Sequence, residues 1–234
     1  MATAILPSTP PSASTESPMV PPPTPLAMPM PVSAPSLYRM PYDLYERIAE
    51  IGLLGPKDRV VLLDGFLVNQ TPISSHHTTS VDLGREALRA AVPVGWYVRA
   101  EQPIVLRGGP HGDSAPQPDL AVAVGSILTY VKRHPIASEV GLVVEVAADL
   151  DAVRIDRAGM SRYAHAGIPI ACIANIADGS LEVYSEPSGP MADPVYRKLE
   201  ALRAGQLLDG EIGNPTTGPA ALAPIPVEAF FAPN

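Results

Sequence analysis

Apolar and polar positions along the chain change period several times, and each change marks an element. From Tyr42 to Ile51, Leu44, Tyr45, Ile48 and Ile51 recur at helical spacing. Val60-Val61-Leu62-Leu63 and Phe66-Leu67-Val68 flank Asp64-Gly65, the pair favoured in a two-residue hairpin turn. Residues 74–91 read as a helix with Ser and Thr as candidate caps and Leu83, Ala87, Leu88 and Ala91 on one face. Trp96-Tyr97-Val98 and Ile104-Val105-Leu106 read as strands, followed by a loop over Gly108 to Asp113 and a strand from Pro118 to Val124. Gly141 to Ala147 is apolar apart from Glu145, as a central strand buried on both faces should be. Arg154 to Ala166 is helical and stops at Gly167 with Pro169 just beyond. Ile168 to Ile176 and Leu181 to Tyr184 are strands joined through Ala177-Asp178-Gly179. The order is mixed helix and strand around one sheet, without internal repeats.

Composition divides the chain. Of 29 prolines in 234 residues, 11 fall in residues 1–35, where Glu16 is the sole charged residue. Proline cannot donate to a helix or sheet ladder, so 1–37 is expected to be a disordered, proline-rich tail and 38–234 the folded domain. Pro21-Pro22-Pro23-Thr24-Pro25 could serve as an SH3-type ligand, although a linker is the simpler reading. A formal net charge of −8 argues against broad, nonspecific coating of nucleic acid. One cysteine, Cys172, excludes a disulfide framework. No apolar run approaches the roughly 18 residues of a membrane span, so a cytoplasmic location without membrane association is expected.

Two acids interrupt segments that otherwise read as core. Asp119 follows Pro118 at a strand start, and Glu145 lies within Leu142-Val143-Val144-Glu145-Val146. Burying an unpartnered carboxylate costs several kcal/mol in practice, so acids in such places call for a cation, a metal or a set of donors. Strand alternation offers another reading, in which Glu145 points from an open face to solvent. If the two converge, they could share one Mg²⁺, which takes oxygen ligands and keeps several waters.

The same residues carry a resemblance. In order, Leu62-Leu63-Asp64-Gly65, Ser75-His76-His77, Pro118-Asp119-Leu120, Val143-Val144-Glu145-Val146, Asp156-Arg157 and Tyr163-Ala164-His165-Ala166-Gly167-Ile168-Pro169 resemble successive landmarks of the Uma-type restriction endonuclease family. That family belongs to the PD-(D/E)XK nuclease superfamily, and the resemblance covers roughly residues 42–232. It implies a restriction-endonuclease-like α/β core (α+β mixed), with a mixed sheet flanked by helices. It further implies DNA cleavage dependent on Mg²⁺ or Mn²⁺, with Asp119 and Glu145 as metal ligands, and often a homodimer.

The sequence departs from the family pattern in two places. The superfamily lysine, two residues after the second acid, is Ala147 here, and the alternative slot on the following helix is Met160. Only Lys57, Lys132 and Lys198 exist in the chain. Arg157 is the candidate for the missing cation on this helix, with a surface ion pair as its other reading; Arg162 points to nearly the opposite side. Val61 and Phe66 stand where the family commonly has acids, and Asp64 is read as the turn residue. Glu46 and Glu50 are conceivable auxiliary acids, more simply a solvated helix face. His76 and His77, adjacent on a helix, cannot share one metal, although either could contact a phosphate or a metal. His111 sits in the glycine-rich loop and His165 near a helix C-terminus. Two functions remain in view: a metal-dependent DNA endonuclease, or an inactive nuclease-fold protein that binds nucleic acid or protein.

Overall fold

The computed structural model describes residues 37–55, 57–71 and 74–232. Apart from Leu37, the expected tail over 1–37 lies outside the described residues.

Helix α1 (Tyr42–Glu50) precedes an antiparallel hairpin of β1 (Val60–Leu63) and β2 (Phe66–Asn69). The turn between them holds Asp64 at φ 52° and Gly65 at φ 78°. Both angles are left-handed, as a type I′ turn requires and as the Asp-Gly pair allows. Helix α2 (Ser75–Ala91) is capped by Ser74, whose hydroxyl accepts from the His77 amide at 3.3 Å. Strand β3 (Trp96–Ala100) follows. The glycine-rich segment expected to be a loop instead forms a hairpin, β4 (Leu106–Gly109) with β5 (Gly112–Ser114), turning at Pro110-His111. Ile104 and Val105 lie outside any strand, and Val105 forms an isolated bridge to Ile136.

The centre is a six-stranded sheet in the order β10-β9-β8-β7-β6-β3. Its further strands are β6 (Leu120–Val124), β7 (Val140–Ala147), β8 (Ile170–Asn175), β9 (Ser180–Pro187) and β10 (Tyr196–Arg203). Only β7 and β8 pair in parallel, so the chain must cross over between them, and helix α3 (Leu150–His165) makes that crossing. It starts one turn before the expected Arg154, because Asp149 caps it by accepting from the Ala152 amide at 2.8 Å. A final hairpin pairs β11 (Leu207–Glu211) with β12 (Ala221–Pro226).

The sheet buries both faces. Leu142, Val144 and Val146 of β7 pack with Val81 and Leu88 of α2 and with Phe230. Val143 and Ala147 point the other way and pack with Val153, Met160 and Tyr163 of α3. The inner row of α2 is His77, Val81, Gly84, Leu88 and Ala91; of the expected face, Leu88 and Ala91 are buried and Ala87 packs against the core, whereas Leu83 is at the surface. Gly84 is needed in that row: a Cβ there would lie 2.8 Å from Phe230 Cδ1. The result is a mixed sheet flanked by helices, as expected.

Candidate active site

Register brings the two conspicuous acids together. The antiparallel pairing of β6 with β7 ends at Leu120↔Val144, so the next residues out, Asp119 and Glu145, face one another. Their carboxylates take up amides at the end of the ladder. The Asp119 amide donates to Glu145 Oε2 at 3.3 Å, and the Val146 amide donates to Asp119 Oδ2 at 2.7 Å.

Glu145 does not point to solvent. It lies on the α3 side of the sheet, where the Tyr163 hydroxyl donates to its Oε1 at 2.5 Å. Burial pushes its carboxyl well above the usual range, and the charges of Asp119 and Asp156 push it further. Asp156 sits on the inner row of α3 with Met160 and Tyr163, at i+4 and i+7. Burial first, and Asp119 next, push its carboxyl up to about 7. His77 reaches in from the first turn of α2, its Nε2 3.1 Å from Asp119 Oδ2. This contact raises its imidazole above the ordinary range against the opposing effect of burial. The site is therefore three acids and one histidine gathered at the end of the β6–β7 ladder, with Asp156 from α3 and His77 from α2.

The structure puts Arg157 elsewhere. Its guanidinium forks onto Glu182 of β9, with Nε 3.0 Å from Oε2 and Nη2 2.5 Å from Oε1. It is committed to a structural ion pair and touches neither Asp119 nor Glu145, because position 157 turns off the row occupied by Asp156. Arg162 lies 3.3 Å from Asp64 Oδ2. Lys57 and Lys132 are exposed, and Lys198 pairs with Glu200 on β10 at 2.9 Å. Both lysine slots are apolar in fact: Ala147 and Met160 are buried in the core beneath α3.

The other candidates are also dispersed. His76 and His111 are exposed, and His165 Nε2 lies 2.9 Å from the Gly108 carbonyl. Glu46 accepts from the Tyr42 hydroxyl at 2.8 Å, and Glu50 is exposed. Two clefts, of about 350 and 670 Å³, lie beside the outer side of α3 and beside α1; none of Asp119, Glu145, Asp156 or His77 lines either. Sequence reasoning missed Asp156 and Tyr163 as site residues. The available signal was an acid at an inward position of a helix, four residues from an apolar partner.

A central mixed sheet flanked by helices and crossed by α3 is a nuclease-like fold. Residues 42–217 match the Uma2 family model, described as "Putative restriction endonuclease", and the chain belongs to that family. A solved structure from Anabaena variabilis ATCC 29413, titled a "putative nuclease belonging to DUF820", has the same fold. It aligns at TM-score 0.51 and 12% identity over 79% of this chain and 96% of that one. No curated protein sequence matches the chain. Among the described residues, no helix is long and apolar enough to cross a membrane.

Proposed function

We propose that this protein is a metal-dependent DNA endonuclease whose cation is held by Asp119 and Glu145. The observation that carries this reading is their pairing at the end of the β6–β7 ladder, under burial and mutual repulsion, with no lysine or arginine among the described residues in contact. Among the described residues no three His, Cys, Asp or Glu side chains form a ready-made metal cluster. Two carboxylates suit Mg²⁺ or Mn²⁺ nonetheless, since Mg²⁺ keeps several waters and commonly takes only one or two protein carboxylates. Such an ion, when bound, supplies positive charge to a phosphodiester.

The chain's own groups supply the rest. Tyr163 and the Asp119 amide fix both oxygens of Glu145. Asp156, titrating near 7, is the candidate acceptor for the proton of an attacking water near neutral pH. The absence of a lysine at 147 and 160 supports a second reading, a nuclease fold that binds nucleic acid or protein without cutting. Incubation of the full chain with supercoiled DNA and Mg²⁺ or Mn²⁺ separates the two. The expected result is metal-dependent nicking that falls at least about 100-fold in Asp119→Ala and Glu145→Ala. Nicking equal to that of the variants would leave only the binding reading.

A further inference from the structure

His77 is used by nothing in the fold that needs a histidine. It is 8% exposed and sits where α2 turns its first inward residue to the sheet. Its Nδ1 is buried with no hydrogen-bond partner. Buried polar atoms are normally satisfied, and an orphan costs free energy that an apolar side chain of similar shape would not. Its other nitrogen meets a carboxylate oxygen that the backbone already holds. Asp119 Oδ2 accepts the Val146 amide at 2.7 Å and lies 3.1 Å from His77 Nε2. Two contacts on one oxygen fix the rotation of the carboxylate, and Oδ1 has no hydrogen-bond partner among the described residues. Among the described residues, His77 is also the one side chain able to carry positive charge that contacts Asp119, Glu145 or Asp156.

We infer that His77 is a positioning residue of the metal centre: by donating from Nε2 to Oδ2 of Asp119, it aims Oδ1 at the cation without binding the cation itself. The inference rests on the reading of Asp119 and Glu145 as the cation's carboxylates. Such outer contacts to ligating carboxylates typically contribute 10- to 100-fold to metal affinity.

Two variants of the full chain isolate the donor from the ring. His77→Phe keeps the ring volume and removes the donor, whereas His77→Gln keeps a donor without the ring. Mn²⁺ affinity, measured by calorimetry on proteins checked for folding by circular dichroism, is expected to fall 10- to 100-fold in His77→Phe. It is expected to fall by less than about 10-fold in His77→Gln, which keeps a donor to the carboxylate. Pulsed EPR of Mn²⁺ on the wild type is expected to show no directly coordinated imidazole nitrogen. Unchanged affinity in His77→Phe overturns the proposal, as does a loss in His77→Gln equal to that in His77→Phe. A coordinated nitrogen also overturns it, by making His77 a ligand. A folded wild type that binds no Mn²⁺ overturns the metal reading itself, and this proposal with it, a result distinct from the other three.

Discussion

Glu145 on β7 and Glu182 on β9 stand in one row of the sheet, each registered with Ile173 of the strand between them. Both therefore project from the same face, beneath the same helix. Glu182 is 5% exposed and fully compensated: Arg157 grips both its oxygens and the Tyr184 hydroxyl donates to it at 2.7 Å. Although burial pushes the Glu182 carboxyl up, those donors outweigh it, and the carboxyl is held below the ordinary range. Glu145 also has a tyrosine donor, but its charged neighbours are acids, and its carboxyl is driven up. One helix thus carries an arginine to one glutamate and an aspartate to the other. A buried acid that receives its cation from the chain is part of the scaffold. A buried acid given more acids instead has its charge left for something from outside.

The sharpest way to break this contrast is to remove the scaffold's cation. Arg157→Ala leaves Glu182 buried and charged. Loss of one partner of a buried pair costs 3–5 kcal/mol, and because the arginine side chain is 56% exposed we expect about 2 kcal/mol. Urea denaturation at neutral pH measures this. Mn²⁺ affinity per folded molecule is expected to be unchanged; a loss there would return Arg157 to the metal site.

The contrast is sharpened by giving the cluster the cation it lacks. Met160 lies four residues from Asp156 on the inner row of α3, so a lysine there can reach the acids while its stem follows the path of the methionine. Met160→Lys is expected to raise metal-dependent nicking about 10-fold, less than the roughly 100-fold or more that a fully positioned acid–base or electrostatic group contributes, because the surrounding core is shaped for methionine. A folded variant with unchanged nicking would show that position 160 is not the vacant lysine slot.

Much of the scaffold was legible from the sequence because its signals were local. The Asp-Gly turn, the Ser74 cap and the apolar run of β7 each announce one element, and each is where the pattern put it. The glycine-rich hairpin was not legible: Leu106-Arg107-Gly108-Gly109 lacks the alternation of a strand, and its pairing with β5 exists through the backbone. Strand β10 was equally hidden, since Tyr196–Arg203 is a charged and largely exposed edge with little apolar face. The acids at 119 and 145 stood out because each broke a hydrophobic segment. Asp156 did not, because α3 carries acids on several sides, and only the helix start at Asp149 and the packing of Val153, Met160 and Tyr163 fix which side is inward. Arg157 illustrates the same limit. Adjacent to Asp156, it was assigned to the acids, yet a turn of about 100° per residue carries it towards Glu182 instead.

The finest test of the contrast is the pH dependence of stability. Asp156 has its carboxyl raised to about 7 from an ordinary 3.8. The folded state therefore holds this proton more tightly than the unfolded chain. Its contribution is fully present below pH 3.8 and is lost as pH rises to about 7, the opposite of an ion-paired acid such as Glu182. The full shift would correspond to about 4 kcal/mol at 1.36 kcal/mol per pH unit. Partial exposure screens the repulsion, and about 1 kcal/mol is the expected share. Asp156→Asn removes the titration while nearly keeping the shape. Wild type and variant should have equal stability near pH 3.5, and the variant should be more stable by about 1 kcal/mol at pH 8. Adding Mg²⁺ at pH 8 should close most of that gap by stabilising the wild type, because a bound cation supplies the compensation that Arg157 gives Glu182. A gap that stays constant across pH would mean the repulsion is not felt by Asp156. A gap that Mg²⁺ leaves untouched would mean that the acids do not share a cation.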